Sequence, residues 1–273
     1  GPGSDAGSAG RREELMVRII HLSDIHFGCE NKPAVAATRD YILANPFDLL
    51  AVTGDVTTVG AEAEFKAAAD WLAALPGPQL GTPGNHDTPY ANLMARLFWP
   101  FRRYDHHLGP AWRDGHSGPG LAAQSINTAR GAQIRINWSK GAISEPDTEA
   151  VTRALAKASP GTLKVALCHH PLVEITGGPM TARVRGGSHC ASIMAQGGVD
   201  LVLSGHIHTP FALPLPCGDE RTYAVGAATL SLRERGTPPG FNLIEADEEA
   251  ITVTAQGWTG SHFKPFRTWS LPP

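Results

Sequence analysis

Val17-Arg18-Ile19-Ile20-His21-Leu22-Ser23-Asp24-Ile25-His26 is an apolar, strand-like run that ends in an acid and an imidazole two positions apart. A short apolar run with polar residues at its end reads as a buried strand. The same pattern returns along the chain. Asp48-Leu49-Leu50-Ala51-Val52 ends at Thr53-Gly54-Asp55, and a short strand near Gln79-Leu80 leads to Gly84-Asn85-His86-Asp87. Leu163 to Cys168 runs into His169-His170-Pro171, and Val199 to Leu203 into Gly205-His206-Ile207-His208. Between the first three runs, residues 33–44 and 60–75 are expected to be helical. Pro33 suits a first turn, and Phe65, Trp71, Leu72 and Leu75 share one side of the second helix. Strand and helix in alternation imply crossovers and a parallel sheet. Ligands bind beyond the carboxyl ends of strands in such sheets, so all five polar segments are expected at one edge.

The second half carries more β structure. Leu121 to Asn127 and Ala132 to Asn137 are candidate strands, and residues 145–158 a candidate helix capped by Ser144. Tyr223-Ala224-Val225, Phe241 to Ile244 and Ile251 to Thr254 read as a closing antiparallel group, and the Pro/Gly-rich stretch 109–120 as a loop. No repeat and no low-complexity linker divides the chain. One α/β domain with two packed sheets, residues 15–273, fits best; residues 1–14 read as a tag remnant and a disordered N-terminus.

Several of these residue types make metal ligands. Asp24 and His26 lie two apart, so on extended backbone both would project to one side; His206 and His208 repeat that spacing after Gly205. Gly54 lets the backbone bend and present Asp55, whose two oxygens can bridge two ions, and Asn85 adds a neutral carbonyl oxygen. Either His169 or His170 could be a ligand. A lone Asp or His after a strand is usually a turn or surface residue, which is the reading given to His106, His107, His116, His189 and His262, while His21 lies inside the first strand. It is the combination at successive strand ends that points to a site.

Composition narrows the field. The chain has 273 residues, 42% hydrophobic and 18% charged, with a formal net charge of −3. That suits a substantial core and excludes a protein built to grip nucleic-acid backbones, because Arg102-Arg103 and Arg183/Arg185 are too sparse. Cys29, Cys168, Cys190 and Cys217 form no CxxC pair; they read as reduced thiols in a cytoplasmic protein. No apolar run reaches the length of a membrane span. Peripheral membrane contact and a homo-oligomer both stay open.

Taken together, Asp24-Ile25-His26, Gly54-Asp55, Gly84-Asn85-His86-Asp87, His169 and Gly205-His206-Ile207-His208 resemble the signature of the calcineurin-like metallophosphoesterases. The resemblance implies a four-layer αββα sandwich, two mixed sheets flanked by helices. It implies one metal on Asp24, His26, Asp55 and His208 and a second on Asp55, Asn85, His169 and His206, with His169 chosen over His170. The ions would be Mn, Fe, Zn or Co, suited to mixed oxygen and nitrogen donors. His86 and Asp87 would be catalytic, His86 facing the leaving group and Asp87 orienting its ring. Asn85, His86 and His170 would face the substrate.

The wording of the first and third segments is similar to the bacterial cyclic-nucleotide phosphodiesterases, so the expected substrate is a small phosphodiester, foremost a 3',5'-cyclic nucleotide. Protein phosphatases of the superfamily carry Asp-Arg-Gly where this chain has Val56-Thr57-Thr58. Enzymes that cleave a UDP-linked lipid A precursor commonly carry Arg where His86 stands. A phospholipid-headgroup or nucleotide-lipid diester is the alternative, since the segment Leu97 to Tyr104 is suited to cap the site or meet a lipid. A non-catalytic scaffold of the same fold is a further alternative, disfavoured because no ligand is missing.

Overall fold

β1 (Val17–Leu22) buries every residue but Arg18, because both of its faces are covered. In this computed structural model, Val17 and Ile19 point into a core shared by two sheets, while Ile20 and Leu22 point the other way onto helices. That two-sided burial explains why the run is continuously apolar rather than alternating. The structure describes residues 16–109, 112, 115–133, 137, 139–174, 184–216 and 221–272.

The elements follow in order as α1 (Lys32–Ala44), β2 (Leu49–Val52), α2 (Glu62–Ala73), β3 (Gln79–Gly81), α3 (Leu93–Phe98), α4 (Arg102–Leu108), β4 (His116–Gly118) and β5 (Leu121–Ser125). Then come α5 (Glu145–Leu155), β6 (Leu163–Leu167), α6 (Gly187–Gln196), β7 (Leu201–Ser204), β8 (Phe211–Pro214), β9 (Tyr223–Gly226), β10 (Gly240–Ala246), β11 (Ile251–Trp258) and β12 (Phe263–Leu271). One sheet has the order β12-β11-β10-β1-β2-β3 and the other β4-β5-β6-β7-β9-β8. β1, β2 and β3 run parallel, as do β5, β6, β7 and β9, with antiparallel strands at the flanks. The inter-sheet core takes Val17, Ile19, Leu49 and Ala51 from one sheet and Leu121, Val165, Leu201 and Val225 from the other. Outside the first sheet, Ile20, Leu22, Leu50 and Val52 pack with Val35 and Ile42 of α1, Phe65 and Leu72 of α2, and Tyr104 of α4. Outside the second, Ala166 and Val202 pack with Leu155 of α5 and with Cys190 and Met194 of α6. The result is the four-layer αββα sandwich.

Local chemistry explains the helix starts. Asn31 caps α1, its side chain accepting from the Ala34 amide at 3.2 Å ahead of a Pro in the first turn. Ser144 caps α5 as expected. Glu64 of α2 reaches back, its Oε2 accepting from the amides of Thr58, Val59 and Ala61. That carboxylate thus holds the turn that follows Asp55.

Three expectations are corrected. Tyr223 to Val225 does not join Phe241 and Ile251 in one antiparallel group; β9 lies in the second sheet, parallel to β7. Its short apolar run pairs equally well in either sheet, and only the partner decides. Residues 109–120 are not all loop, since β4 forms there against β5. Of the strand expected at 132–137, residues 134–136 lie outside the described residues, and Ala132, Gln133 and Asn137 carry no strand. Residues 1–15, Arg183 and Cys217 also lie outside them.

Candidate metal centre

The tips of β1, β2 and β7 share a backbone device. Asp24, His26, Asp55, His206 and His208 all have positive φ, between 50° and 69°. Such conformations are uncommon outside glycine and cost on the order of 1–3 kcal/mol each, so the surroundings must impose them. The surroundings are visible: the amides of Asp24 and His26 donate to the carbonyls of Gly54 and Asp55, both at 3.0 Å, and the Gly205 amide donates to the His169 carbonyl at 2.9 Å. The extended Asp24-Ile25-His26 pictured from spacing is therefore not what brings the pair together. Alternate left-handed residues turn both side chains inward, leaving His26 Nε2 3.8 Å from Asp24 Oδ1.

Two glycines make the close approach feasible. A Cβ on Gly205 would collide with Ser23 Oγ and Asp24 Oδ2, and one on Gly54 (φ 85°) would meet the Gly84 backbone and the His169 ring.

Three histidines are anchored alike. The Nδ1 of His26 donates to Thr57 O (3.0 Å), that of His169 to Thr53 O (2.7 Å) and that of His208 to Arg233 O (2.7 Å). Fixing Nδ1–H on a carbonyl turns Nε2 toward the site, as the nitrogen on which a metal would take the place of a proton. The three Nε2 atoms face the carboxylates: His208 lies 3.1 Å from Asp24 Oδ1, and His169 and His26 lie 3.3 and 3.9 Å from Asp55 Oδ2. Asp55 Oδ2 thus stands between His26 and His169, as a bridging oxygen would, while its Oδ1 accepts from the His86 amide at 2.8 Å. Asp24 Oδ2 is occupied by the Ser23 hydroxyl and the His206 amide. Asp24 Oδ1, Asn85 Oδ1 and His169 Nε2 are buried with no hydrogen-bond partner.

His170 is placed differently. Its Nδ1 meets Thr128 Oγ1 at 2.9 Å, its Nε2 donates to Ser139 O at 2.8 Å, and the residue is buried. It does lie close enough to His169 and His206 to form a His cluster. Both of its nitrogens are engaged there, and its ring backs those of His169 and His206, 4.7 and 4.5 Å away.

The electrostatics follow from burial against charge. Burial alone would lower His169, but Asp55 raises it to about 9. Asp55 is held well below the usual carboxylate range, His169 overriding its burial. Asp24 is lowered likewise, His208 outweighing desolvation. For His26 and His206 burial prevails, and they fall to about 4 and about 3. Both carboxylates are thus charged, and those two imidazoles neutral, at neutral pH.

His86 is half-buried and meets the His26 ring edge-on at 4.9 Å. Its Nδ1 donates to Thr58 O at 2.6 Å, so Asp87 does not orient the ring. The Asp87 carboxylate instead accepts from the Thr57 amide and hydroxyl and from the Gly84 amide. Burial, and then the charge of Asp55, raise Asp87 to about 7. Asp87 knits the loops after β2 and β3 together and so positions His86 through the backbone.

A sixth segment, 229–237, lies outside the five motifs and also serves the site. Thr229 Oγ1 donates to Asp24 O at 2.6 Å, Arg233 O accepts from His208, and Thr237 Oγ1 donates to His208 O. Arg233 Nη1 lies 3.2 Å from His86 Nε2. The signal was available: polar residues and glycine follow a strand whose tip lies at the same sheet edge. Misplacing β9 hid it.

Comparison with known proteins agrees with this geometry. A probable cyclic nucleotide phosphodiesterase of Synechococcus is 26% identical over 90% of this chain and 94% of its own length. The 3',5'-cyclic adenosine monophosphate phosphodiesterase CpdA of Escherichia coli is 24% identical over 92% and 94%. Among solved structures, a purple acid phosphatase from yellow lupin seeds has a TM-score of 0.68 at 14% identity, covering 95% of this chain. The chain spans about half of that protein, 54%. TT1561 of Thermus thermophilus has a TM-score of 0.54 at 14% identity, covering 85% of this chain and 99% of that one. These likenesses show the fold. The profile of the calcineurin-like phosphoesterases matches residues 17–210, from β1 to just past His208. The match takes in most of the chain, which belongs to the calcineurin-like phosphoesterase family of metal-dependent phosphoester hydrolases.

Proposed function

We propose that the protein hydrolyses a small phosphodiester, foremost a 3',5'-cyclic nucleotide, at a dinuclear metal centre. One observation carries the reading: ligand atoms of Asp24, Asp55 and His169 lie within 4.8 Å of one another, and buried polar atoms on Asp24, Asn85 and His169 have no hydrogen-bond partner. Each such atom costs about 1–3 kcal/mol if nothing meets it, and cations meet all three. Asp24, His26, Asp55 and His208 would hold one ion, and Asp55, Asn85, His169 and His206 the other. Oxygen and nitrogen donors without a thiolate suit Mn, Fe, Zn or Co. Bound ions of this kind supply a water of lowered pKa and positive charge against the phosphate.

The protein's own residues supply the remainder. His86 is fixed through Nδ1 on Thr58, with Nε2 toward Arg233. A proton carried there passes to the leaving oxygen as the P–O bond breaks. Asp87 holds the loops that carry His86, and Asn85 would meet both ion and phosphate. The substrate assignment draws support from the two curated relatives, whose names specify cyclic nucleotides and whose lengths are matched almost end to end. A cytoplasmic setting belongs to the same reading, in keeping with free Cys29, Cys168 and Cys190. No helix among the described residues is long and apolar enough to cross a membrane.

A phospholipid-headgroup diester is favoured by one feature: Tyr90, Leu93, Met94, Leu97, Phe98 and Trp99 are exposed side by side on and around α3. Turnover of bis-p-nitrophenyl phosphate against its monoester, then of cyclic nucleotides against glycerophosphodiesters, decides between the substrates. Faster turnover of the monoester than of any diester overturns the proposal.

A further inference from the structure

We propose that Arg233 is a phosphate-binding residue of this site and that, until substrate arrives, its guanidinium occupies the proton-donating nitrogen of His86. The inference rests on the phosphodiesterase reading and names a group that the five motifs do not contain.

The tautomer of His86 is settled by its neighbours. Thr58 O can only accept, so Nδ1 carries a hydrogen. A guanidinium can only donate, so His86 Nε2, 3.2 Å from Arg233 Nη1, is a bare lone pair. As the two side chains stand, the guanidinium covers His86 Nε2. For His86 to act as an acid, Arg233 must release Nε2.

Arg233 has somewhere to go. It is half-buried, and among the described residues its guanidinium meets no carboxylate. Among the described residues its guanidinium meets the weakly basic imidazole of His86, a poor partner for a permanent cation. A phosphate oxygen offers a charge-assisted pair, shorter and about twice as strong as a neutral one. The backbone is meanwhile fixed: Arg233 O accepts from His208, and Arg233 N donates to Ser231 Oγ at 3.1 Å. The side chain can therefore swing without disturbing the ligand histidine. Binding of the diester draws the guanidinium from His86 to the phosphate and uncovers His86 Nε2. The balance is that of hydrolysis: water supplies the oxygen that adds to phosphorus, the P–O bond breaks, and the proton the water gives up is returned to the leaving oxygen by way of solvent and His86.

The test is steady-state kinetics and inorganic phosphate inhibition of R233Q, alone and in an H86A background, in metal-loaded protein. The amide removes the charge and shortens the side chain. We expect metal content equal to the parent, because His208 is held by the main chain. KM for bis-p-nitrophenyl phosphate and Ki for inorganic phosphate should each rise roughly tenfold or more. The same rise should appear in the H86A background, where an arginine acting only through His86 would have no effect. R233K, which retains charge, should recover part of the loss. Unchanged KM and Ki in R233Q overturn the inference, as does a defect that vanishes in H86A. A metal-loaded parent that hydrolyses no diester removes the phosphodiesterase reading, and this inference with it; an active parent with an indifferent R233Q removes the inference alone.

Discussion

Asp55 is the residue on which the centre turns. One oxygen stands between His26 and His169, and the other receives the His86 amide. Asp55→Asn should therefore lose metal and activity together, checked by elemental analysis and turnover on the same sample. His86→Ala should keep its metal and lose about 10²–10⁴-fold in rate toward a substrate with a poor leaving group, with a smaller loss toward p-nitrophenyl esters. Gly205→Ala should behave as a ligand mutant although it ligates nothing, because its methyl would displace Asp24. Loss of bound metal without loss of fold, read by elemental analysis and circular dichroism, is the expected result. At this scale the sequence was informative about identity but not about geometry. Asp24, Asp55 and His208 could be named from their neighbours in the chain, whereas positive φ, the Nδ1 anchors and the dual engagement of His170 arise from contacts between remote segments, such as Asp24 and His206, 182 residues apart.

The elements divide by how their periodicity meets the core. β1, β2, β6 and β7 were legible because parallel strands buried on both faces leave continuous apolar runs. β12 was not: Pro265 interrupts it and most of its side chains are exposed, so no alternation survives. β8 is four residues long and ends at Pro214. α3 and α4 were read only as an aromatic and basic segment, because α3 buries no side chain. α2 makes the contrast testable. Phe65 is fully buried, packing edge-on against Tyr104, whereas Leu97 of α3 is 51% exposed. Phe65→Ala should cost about 3–5 kcal/mol in a denaturant titration, and Leu97→Ala no more than about 0.5 kcal/mol. Equal effects would contradict the assignment of α2 to the core and α3 to the surface.

Across the whole molecule, the two sheets meet in an apolar core that turns polar toward the site. His21 there faces Thr53 Oγ1 at 2.9 Å, and Asn242 of β10 crosses between the sheets to donate to Gly226 O of β9 at 2.9 Å. Burial lowers His21 from 6.5 to about 3. A folded-state value below the unfolded one gives stability that is complete above pH 6.5 and lost as pH falls toward 3. The gap corresponds to about 5 kcal/mol. His21→Gln should flatten the slope of unfolding free energy between pH 6 and 4, whatever it does to the absolute height; an unchanged slope would show that His21 does not set acid sensitivity. The αββα architecture itself came from the resemblance carried by the five motifs, and the parallel half from the strand–helix alternation. The division of strands between sheets did not, because Tyr223 to Val225 fits either partner. The central claim is that remote strand tips combine into one two-ion centre. Titrating metal-stripped protein with Mn²⁺ while following bis-p-nitrophenyl phosphate hydrolysis tests it most directly. Activity should rise from near zero and level off at two bound ions per chain, with Asp55→Asn flat throughout. Full activity without metal, or saturation at a single ion, would contradict the account.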